Sequence, residues 1–118
     1  MTQTNPVIRP IRKNDVIAYR GKMYNESFRG LAVELDGEVI GIAGVLHTPV
    51  LQAFSMIKDE MRKYPKSLVK AAQYFRTILA EYDSPVYAKP SPDEKNPERY
   101  LEYVGFKRFN GSLYEWTQ

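Results

Sequence analysis

The stretch NPERYLEYVGFKRFNG, residues 96–111, decides how the C-terminal part of this chain folds. Asn96 can accept a hydrogen bond from the first free amides of a helix, and Pro97 suits the first helical position. Gly105 can take the left-handed conformation that ends a helix. The residues between them carry an apolar stripe at helical spacing, formed by Tyr100, Leu101 and Val104. The pattern predicts a short capped helix that ends at Gly105.

A β-hairpin is predicted directly after this helix. Phe106 begins a strand, and Asn110-Gly111 is a pair typical of the tight turns that join two antiparallel strands. A helix that leads through a glycine into a final hairpin therefore closes the chain.

Composition places the chain among globular proteins with one domain, residues 1–118, of which 1–5 are expected to be flexible. A length of 118 residues and a hydrophobic content of 43% are sufficient for one core. There is no cysteine and one histidine, His47, so disulfides and multi-histidine metal sites are excluded and no metal is expected. No segment resembles a signal peptide or a membrane span, so we expect a cytoplasmic location and no membrane partner.

The charge is mildly basic, with 17 basic and 14 acidic residues. Dedicated duplex-DNA binders usually carry a denser basic stripe, so a nucleic-acid partner is not expected, although it stays a third hypothesis beside the two given below. The basic residues cluster in two groups, Arg9, Arg12 and Lys13 in the first and Lys58, Arg62, Lys63, Lys66 and Lys70 in the second. Many such clusters are solvent-exposed charges with no binding role.

The first half of the chain predicts a strand, a short helix and a hairpin. Residues 7–11 contain Pro10 and read as an edge strand, and Asn14-Asp15 can cap a helix over residues 16–19. Residues 28–45 form a hairpin whose turn is Asp36-Gly37. In the register of a two-residue loop Glu34 lies opposite Val39, and one face of the hairpin carries Leu31, Val33, Leu35, Ile40 and Ile42.

The second half predicts a third strand over residues 51–57 and then the longest helix. This helix begins near Pro65 and ends before Asp83-Ser84-Pro85. Its buried face has the spacing of an amphipathic helix and comprises Leu68, Ala71, Ala72, Phe75, Ile78, Leu79 and Tyr82. A short strand over residues 86–88 precedes the C-terminal helix and hairpin.

This order of elements, together with two motifs, resembles the GNAT acyltransferase superfamily. Residues 99–107, RYLEYVGFK, are similar to the closing helix motif Tyr-x-x-x-Gly-Phe. Residues 62–67, RKYPKS, stand in the place of the pyrophosphate motif Gln/Arg-x-x-Gly-x-Gly/Ala, with Pro65 instead of the first glycine and Ser67 instead of the small last residue. The resemblance implies a single α/β (α+β) domain with a mixed central sheet whose middle strands splay, one long and one or two short helices, and a C-terminal β-hairpin.

The start of the long helix is the candidate phosphate site. A helix N-terminus attracts phosphate through its free amides and its partial positive charge. Coenzyme A carries a pyrophosphate and a ribose phosphate, and the residues that would hold them are Arg62, Lys63, Lys66, Ser67 and Leu68. Pro65 has no N–H to donate, so a helix start with solvated lysines is the alternative.

The resemblance also implies a slot between the strand of residues 51–57 and the strand of residues 86–88. The pantetheine arm of acetyl-CoA would pair there with the backbone of Ser55, Met56 and Ile57. The alternative is an ordinary core strand.

Two residues are candidates for acid–base catalysis. In many superfamily members a tyrosine four residues before the Gly-Phe glycine protonates the leaving thiolate, and here that position holds Leu101. Tyr100 lies one residue earlier, about 100° around the helix, and either acts as the acid or packs. His47 is either a general base or a structural residue of a turn.

Two hypotheses of function follow. The first is an N-acyltransferase that uses acetyl-CoA or another acyl-CoA on an amine, either a small molecule or a protein. The second is a non-catalytic GNAT-like binding or structural module, which the loss of both motif glycines and of the tyrosine supports. The chain also resembles small degenerate GNAT-like proteins of tailed bacteriophages. In that case the protein is expected in the host cytoplasm or the virion. Apolar surface at Tyr114 and Trp116 predicts a homodimer.

Overall fold

The computed structural model describes residues 5–90 and 97–118, which form seven strands, three α-helices and a 3₁₀ helix over Asp59–Lys63. The strands are β1 (Val7–Pro10), β2 (Phe28–Leu35), β3 (Glu38–Leu46), β4 (Gln52–Ile57), β5 (Val86–Ala88), β6 (Lys107–Asn110) and β7 (Leu113–Trp116). The helices are α1 (Lys13–Arg20), α2 (Pro65–Leu79) and α3 (Pro97–Val104). No helix within these residues is both long and apolar enough to cross a membrane.

All seven strands belong to one sheet with the order β1-β2-β3-β4-β5-β7-β6. Neighbouring strands are antiparallel, except that β4 and β5 are parallel. A parallel pair needs a crossover, and α2 provides it. The predicted mixed α+β domain, with one long helix, two short ones and a C-terminal hairpin, is therefore confirmed.

The main core lies between the sheet and helices α2 and α3. The predicted apolar face of α2 is confirmed, since Ala71, Ala72, Phe75, Ile78 and Leu79 are buried and Leu68 and Tyr82 are partly buried against the same core. Pro65 occupies the first helical turn, as its missing N–H favours. Phe75 contacts Phe106, with ring centroids 6.4 Å apart.

Helix α1 covers the opposite face of the sheet. Val16 is buried there together with Ala32 and Ile42, outside the main core cluster. The predicted cap at Asn14-Asp15 was wrong, because the helix already begins at Lys13. Asp15 is its third residue, and the Asp15 carboxylate accepts a hydrogen bond of 2.7 Å from the N–H of Arg12.

The β2–β3 hairpin turns at Asp36-Gly37 as predicted, with φ of 53° and 83°. Glu34 lies opposite Val39, which confirms the predicted register at the turn. The next pair is Val33 with Gly41, so Ile40 is an extra residue in β3 and forms a β-bulge. Ile40 reaches the main core, but the bulge turns Ile42 to the α1 face, and the prediction that both share the face of Leu31 was wrong for Ile42.

The C-terminal helix ends as predicted at Gly105, whose φ is 120°. The N–H of Phe106 donates to the Leu101 carbonyl at 2.9 Å, which satisfies the end of α3. Phe106 itself is buried, and β6 begins one residue later than predicted, at Lys107. The predicted cap Asn96 lies outside the described residues.

The final hairpin is present, but its loop is displaced by one residue from the predicted turn. Asn110 pairs with Leu113, so Gly111-Ser112 form the loop instead of Asn110-Gly111. The ladder then continues with Arg108 opposite Tyr114, which leaves a bulge at Phe109.

Candidate functional site

Strands β4 and β5 separate in the middle of the sheet. Within residues 5–90 and 97–118 they pair only at Gln52 and Tyr87, where the Tyr87 N–H donates to the Leu51 carbonyl at 3.0 Å. Strand β4 continues to Ile57, whereas β5 ends at Ala88 and is followed by Pro90, which has no N–H for a ladder. A gap therefore opens from Gln52 towards the end of β4, and the predicted splaying of the middle strands is confirmed.

The backbone groups of β4 that face this gap follow from two hydrogen bonds. The Leu51 carbonyl points to β5, and the Lys58 N–H donates to the Ile40 carbonyl of β3 at 2.9 Å. Because backbone groups alternate between the two sides of a strand, those of Ala53, Ser55 and Ile57 face the gap. Of the predicted set, Ser55 and Ile57 are thus placed in the gap, whereas the Met56 backbone faces β3 opposite Ile42.

A cavity of about 530 Å³ lies at the narrow end of the gap. Its walls come from the start of β4, from β5 and from the C-terminal hairpin, and include Ala53, Tyr87, Ala88, Lys89, Phe109 and Leu113. The side chains at positions 53 and 88 are alanines, so little bulk separates the cavity from the gap.

Three cations stand at the wide end of the gap, where β4 leads through the 3₁₀ helix into α2. Arg62 and Lys63 end the 3₁₀ helix and Lys66 is the second residue of α2, and all three are exposed. The Arg62 Nε atom lies 3.4 Å from the Asp59 carboxylate, an exposed contact that leaves the guanidinium accessible. Met61, which is fully buried, anchors this segment to the core.

The first-turn amides of α2 are fewer than the sequence predicted. The N–H groups of Ser67 and Leu68 both donate to the Tyr64 carbonyl, at 3.0 and 3.1 Å. Pro65 has none. Lys66 therefore supplies the first-turn amide that has no backbone partner in the described part of the chain, and Ser67 and Leu68 offer no free amide because the helix begins directly after Tyr64.

His47 lies at the other end of the sheet, where β4 starts. Its Nδ1 atom is 2.9 Å from Ser27 Oγ and its Nε2 atom is 2.7 Å from the Tyr82 hydroxyl, just beyond the end of α2. Burial raises the pKa of Tyr82. Helix α2 has 15 residues and spans roughly 22 Å, so His47 is far from the cations at the start of that helix.

Tyr100 and Leu101 lie on α3. Leu101 is buried in the main core and has no proton to donate, and Tyr100 is partly buried against the same core. The structure thus places neither Tyr100 nor His47 among the groups that line the cavity.

Sequence reasoning missed a phenol and a carboxylate beside the cavity. The Tyr87 hydroxyl donates to Glu115 Oε2 at 2.8 Å, and the Tyr87 ring lies 5.5 Å from that of Phe109. The hydrogen bond to Glu115 and burial raise the pKa of Tyr87. The available signal was strand alternation, which puts Tyr87 on the opposite face from the buried Val86 and Ala88.

An aromatic cluster lines the α1 side of β4. Tyr24 contacts Phe28 and Phe54, with ring centroids 5.9 and 5.1 Å apart, and the Arg20 guanidinium stacks 3.9 Å from the Tyr24 centroid. One short helix and a loop are all that connect β1 to β2, as the sequence predicted. Within residues 5–90 and 97–118 no three histidine, aspartate or glutamate side chains are grouped so that they could hold a metal ion.

No family model matches the sequence, and no curated protein matches it either. Solved structures do match it. An aminoglycoside acetyltransferase in complex with coenzyme A is 14% identical, with a TM-score of 0.64 over 97% of this chain and 95% of that chain.

Two further solved structures also match this chain. An acetyltransferase from Agrobacterium tumefaciens is 16% identical, with a TM-score of 0.59 over 100% of this chain and 96% of that chain. Ard1 from Thermoplasma volcanium is 15% identical, with a TM-score of 0.62 over 93% of this chain and 94% of that chain. The chain has the fold of the GNAT acetyltransferases.

Proposed function

We propose that this protein is an N-acyltransferase that takes its acyl group from acetyl-CoA or another acyl-CoA. The observation that carries the proposal is the gap between β4 and β5, with unpaired β4 backbone along one side and Arg62, Lys63 and Lys66 at its wide end. A solved acetyltransferase of the same fold is in complex with coenzyme A, which supports the proposal.

The residues present fit the chemistry of coenzyme A. The three cations and the free amide of Lys66 suit phosphate groups, because charge-assisted hydrogen bonds to phosphate are strong. The backbone groups of Ser55 and Ile57 face the gap and can pair with amides, as an added strand does. When bound, the thioester supplies an activated acyl group.

Acid–base chemistry has three candidate groups in the proposal. Tyr100 and His47 come from the sequence, and Tyr87 comes from the structure. Tyr87 lines the cavity, and its hydroxyl is protonated at neutral pH because the ordinary pKa of a phenol, about 10, is already well above 7. The Tyr87 hydroxyl, which Glu115 holds in place, can donate its proton to the thiolate that leaves when the amine attacks the thioester.

The acceptor in this proposal is an amine, either on a small molecule or on a protein. The cytoplasmic location, the homodimer and the kinship with phage-encoded chains stay predictions from the sequence. The surface on which the homodimer was predicted was wrong, because Tyr114 is buried and Trp116 packs against the main core.

Acetyl-CoA is expected to stabilise the protein against thermal unfolding. A ligand that binds only the native state at a hundred times its Kd adds about 2.7 kcal/mol. The double variant Arg62→Glu with Lys66→Glu should lose the shift in Tm, because both cations at the start of α2 become repulsive to phosphate. Differential scanning fluorimetry with and without millimolar acetyl-CoA measures this.

The matched control is Lys13→Glu with Lys22→Glu, which changes net charge equally at two exposed positions on or beside α1. It should keep the full shift. If the wild-type protein shows no shift, the proposed function fails; if the Arg62 and Lys66 variant keeps the shift, the phosphate site is elsewhere.

A non-catalytic module with the same fold is the second candidate. Two observations favour it, namely the buried Leu101 at the position of the superfamily tyrosine and Pro65 at the position of a glycine. Binding of acetyl-CoA without transfer to any amine of a broad panel would support this second candidate.

A further inference from the structure

We infer that the acyl group this protein prefers is an aliphatic chain longer than acetyl, seated in the cavity at the narrow end of the gap. The inference rests on the proposed function and specifies its donor substrate.

The first argument for this inference is the position of the cavity. The cavity begins where the pairing of Gln52 with Tyr87 closes the gap, and Ala53 and Ala88 line both. A thioester carrier whose phosphates lie at Arg62 and Lys66 and whose arm follows β4 reaches this closed end with its acyl group. The cavity is thus continuous with the proposed path of the donor.

The second argument is the size and the lining of the cavity. A volume of about 530 Å³ far exceeds the needs of an acetyl group, since a single water molecule takes roughly 30 Å³ of liquid volume. Apolar side chains contribute most of the wall. Two of them, Val50 and Phe109, are 56% and 55% exposed, so more than half of each of these apolar residues is left uncovered by the described residues.

The face that Phe109 occupies is the third argument. Tyr87, Glu115 and Lys107 are cross-strand neighbours and share one face of the sheet, and strand alternation puts Phe109, two residues after Lys107, on the same face. The Phe109 ring lies there against Tyr87, where it forms part of the cavity wall.

Charge decides between an acyl chain and an amine as the occupant. Lys89 lines the cavity. The nearby Glu115 carboxylate accepts the Tyr87 hydroxyl and lies opposite Lys107 in the β6–β7 ladder, so the charge of Lys107 offsets its own. A cationic amine is therefore repelled by Lys89, whereas an uncharged aliphatic chain meets no such cost.

The test compares Kd values for CoA, acetyl-CoA, butanoyl-CoA, hexanoyl-CoA and octanoyl-CoA by isothermal titration calorimetry. Complete burial of a methylene tightens binding about fourfold. Because the cavity is open to solvent on one side, we expect a smaller gain, with octanoyl-CoA binding at least about tenfold more tightly than acetyl-CoA.

Leu113→Asn should reduce the octanoyl-to-acetyl ratio to below about threefold, because it places an amide in the apolar wall. The matched control is Val7→Asn, which changes an exposed residue on β1 at the opposite edge of the sheet and should keep the full ratio. Free octanoate at the same concentration should not bind.

Equal Kd values for all acyl forms would overturn this inference and leave the proposed function standing. Failure of CoA and every acyl-CoA to bind would overturn both. If octanoyl-CoA still binds more tightly than acetyl-CoA after Leu113→Asn, or if free octanoate binds by itself, the acyl chain lies outside this cavity. Either result would overturn the inference and leave the proposed function standing.

Discussion

Asp15→Asn is expected to lower the free energy of unfolding by about 3 kcal/mol or more, the cost of breaking a buried ion pair. The Arg9 guanidinium donates two hydrogen bonds to the Asp15 carboxylate, at 2.7 and 2.8 Å. Asp15 is 5% exposed and the Arg9 side chain 15%. Removing the carboxylate charge leaves a largely desolvated guanidinium, and among the residues that the structure describes Glu34, at 3.0 Å, is the carboxylate that remains to balance it. Urea denaturation at pH 7 measures the loss.

This network connects α1 to the sheet, since Arg9 belongs to β1, Glu34 to β2 and Asp15 to α1. The matched control is Glu81→Gln, which breaks the exposed pair of Arg29 and Glu81 at 2.7 Å. Both of those side chains are about half exposed, so the loss should stay below about 1 kcal/mol. Equal losses in the two variants would show that burial does not strengthen the Asp15 interaction.

The same carboxylate makes stability depend on acid pH. The hydrogen bonds from Arg9 are the largest influence on Asp15 and, with the N–H of Arg12, they lower its pKa against the opposing effect of burial. Because the folded pKa lies below the unfolded value of about 3.9, the contribution is fully present above that value. It is lost as the pH falls through the folded pKa. The stability difference between wild-type protein and Asp15→Asn should therefore shrink as the pH falls below about 4.

The long helix could be predicted from sequence because its signals are local. Apolar residues recur at three and four positions along α2, and Pro65 and Pro85 mark its limits. The β-bulges could not be predicted in the same way. Whether Ile40 and Ile42 share a face depends on one unpaired residue, which the surrounding core selects and the alternation of the sequence does not encode.

The candidate site can likewise be predicted from the sequence only in part. The separation of β4 from β5 is implied by the resemblance to the GNAT superfamily, and the cations at the start of α2 are evident in residues 62–66. Which backbone groups face the gap depends on the pairing of β4 with β3, which the sequence does not reveal, so the prediction groups Met56 with Ser55 and Ile57 although the Met56 backbone faces β3. The contact of Tyr87 with Glu115 joins residues 28 positions apart, and no spacing rule predicts it.

The largest destabilisation is expected from Gly30→Ala. Gly30 of β2 lies directly opposite Gly44 of β3, and these two backbones approach closely. A Cβ atom at position 30 would lie 2.8 Å from Gly44 Cα and closer still to the Ala43 carbonyl oxygen. Both contacts are with backbone, which cannot yield without breaking the β2–β3 ladder. The loss should exceed about 3 kcal/mol, at or beyond the usual range for overpacking.

Gly41→Ala is the matched control in the same strand pair. A Cβ atom there would lie 3.4 Å from Ile57 Cγ2, the end of a side chain that can shift, so the change should stay within about 1 kcal/mol. Urea denaturation measures both variants, and far-UV circular dichroism at 25 °C shows whether Gly30→Ala folds at all. The close approach also leaves room for the Phe54 ring beside Gly44, so Gly30→Ala should disturb the aromatic cluster of Tyr24, Phe28 and Phe54. Equal stability of the two alanine variants would contradict the argument, because it would mean that the sheet relaxes around a backbone clash as easily as around a side chain.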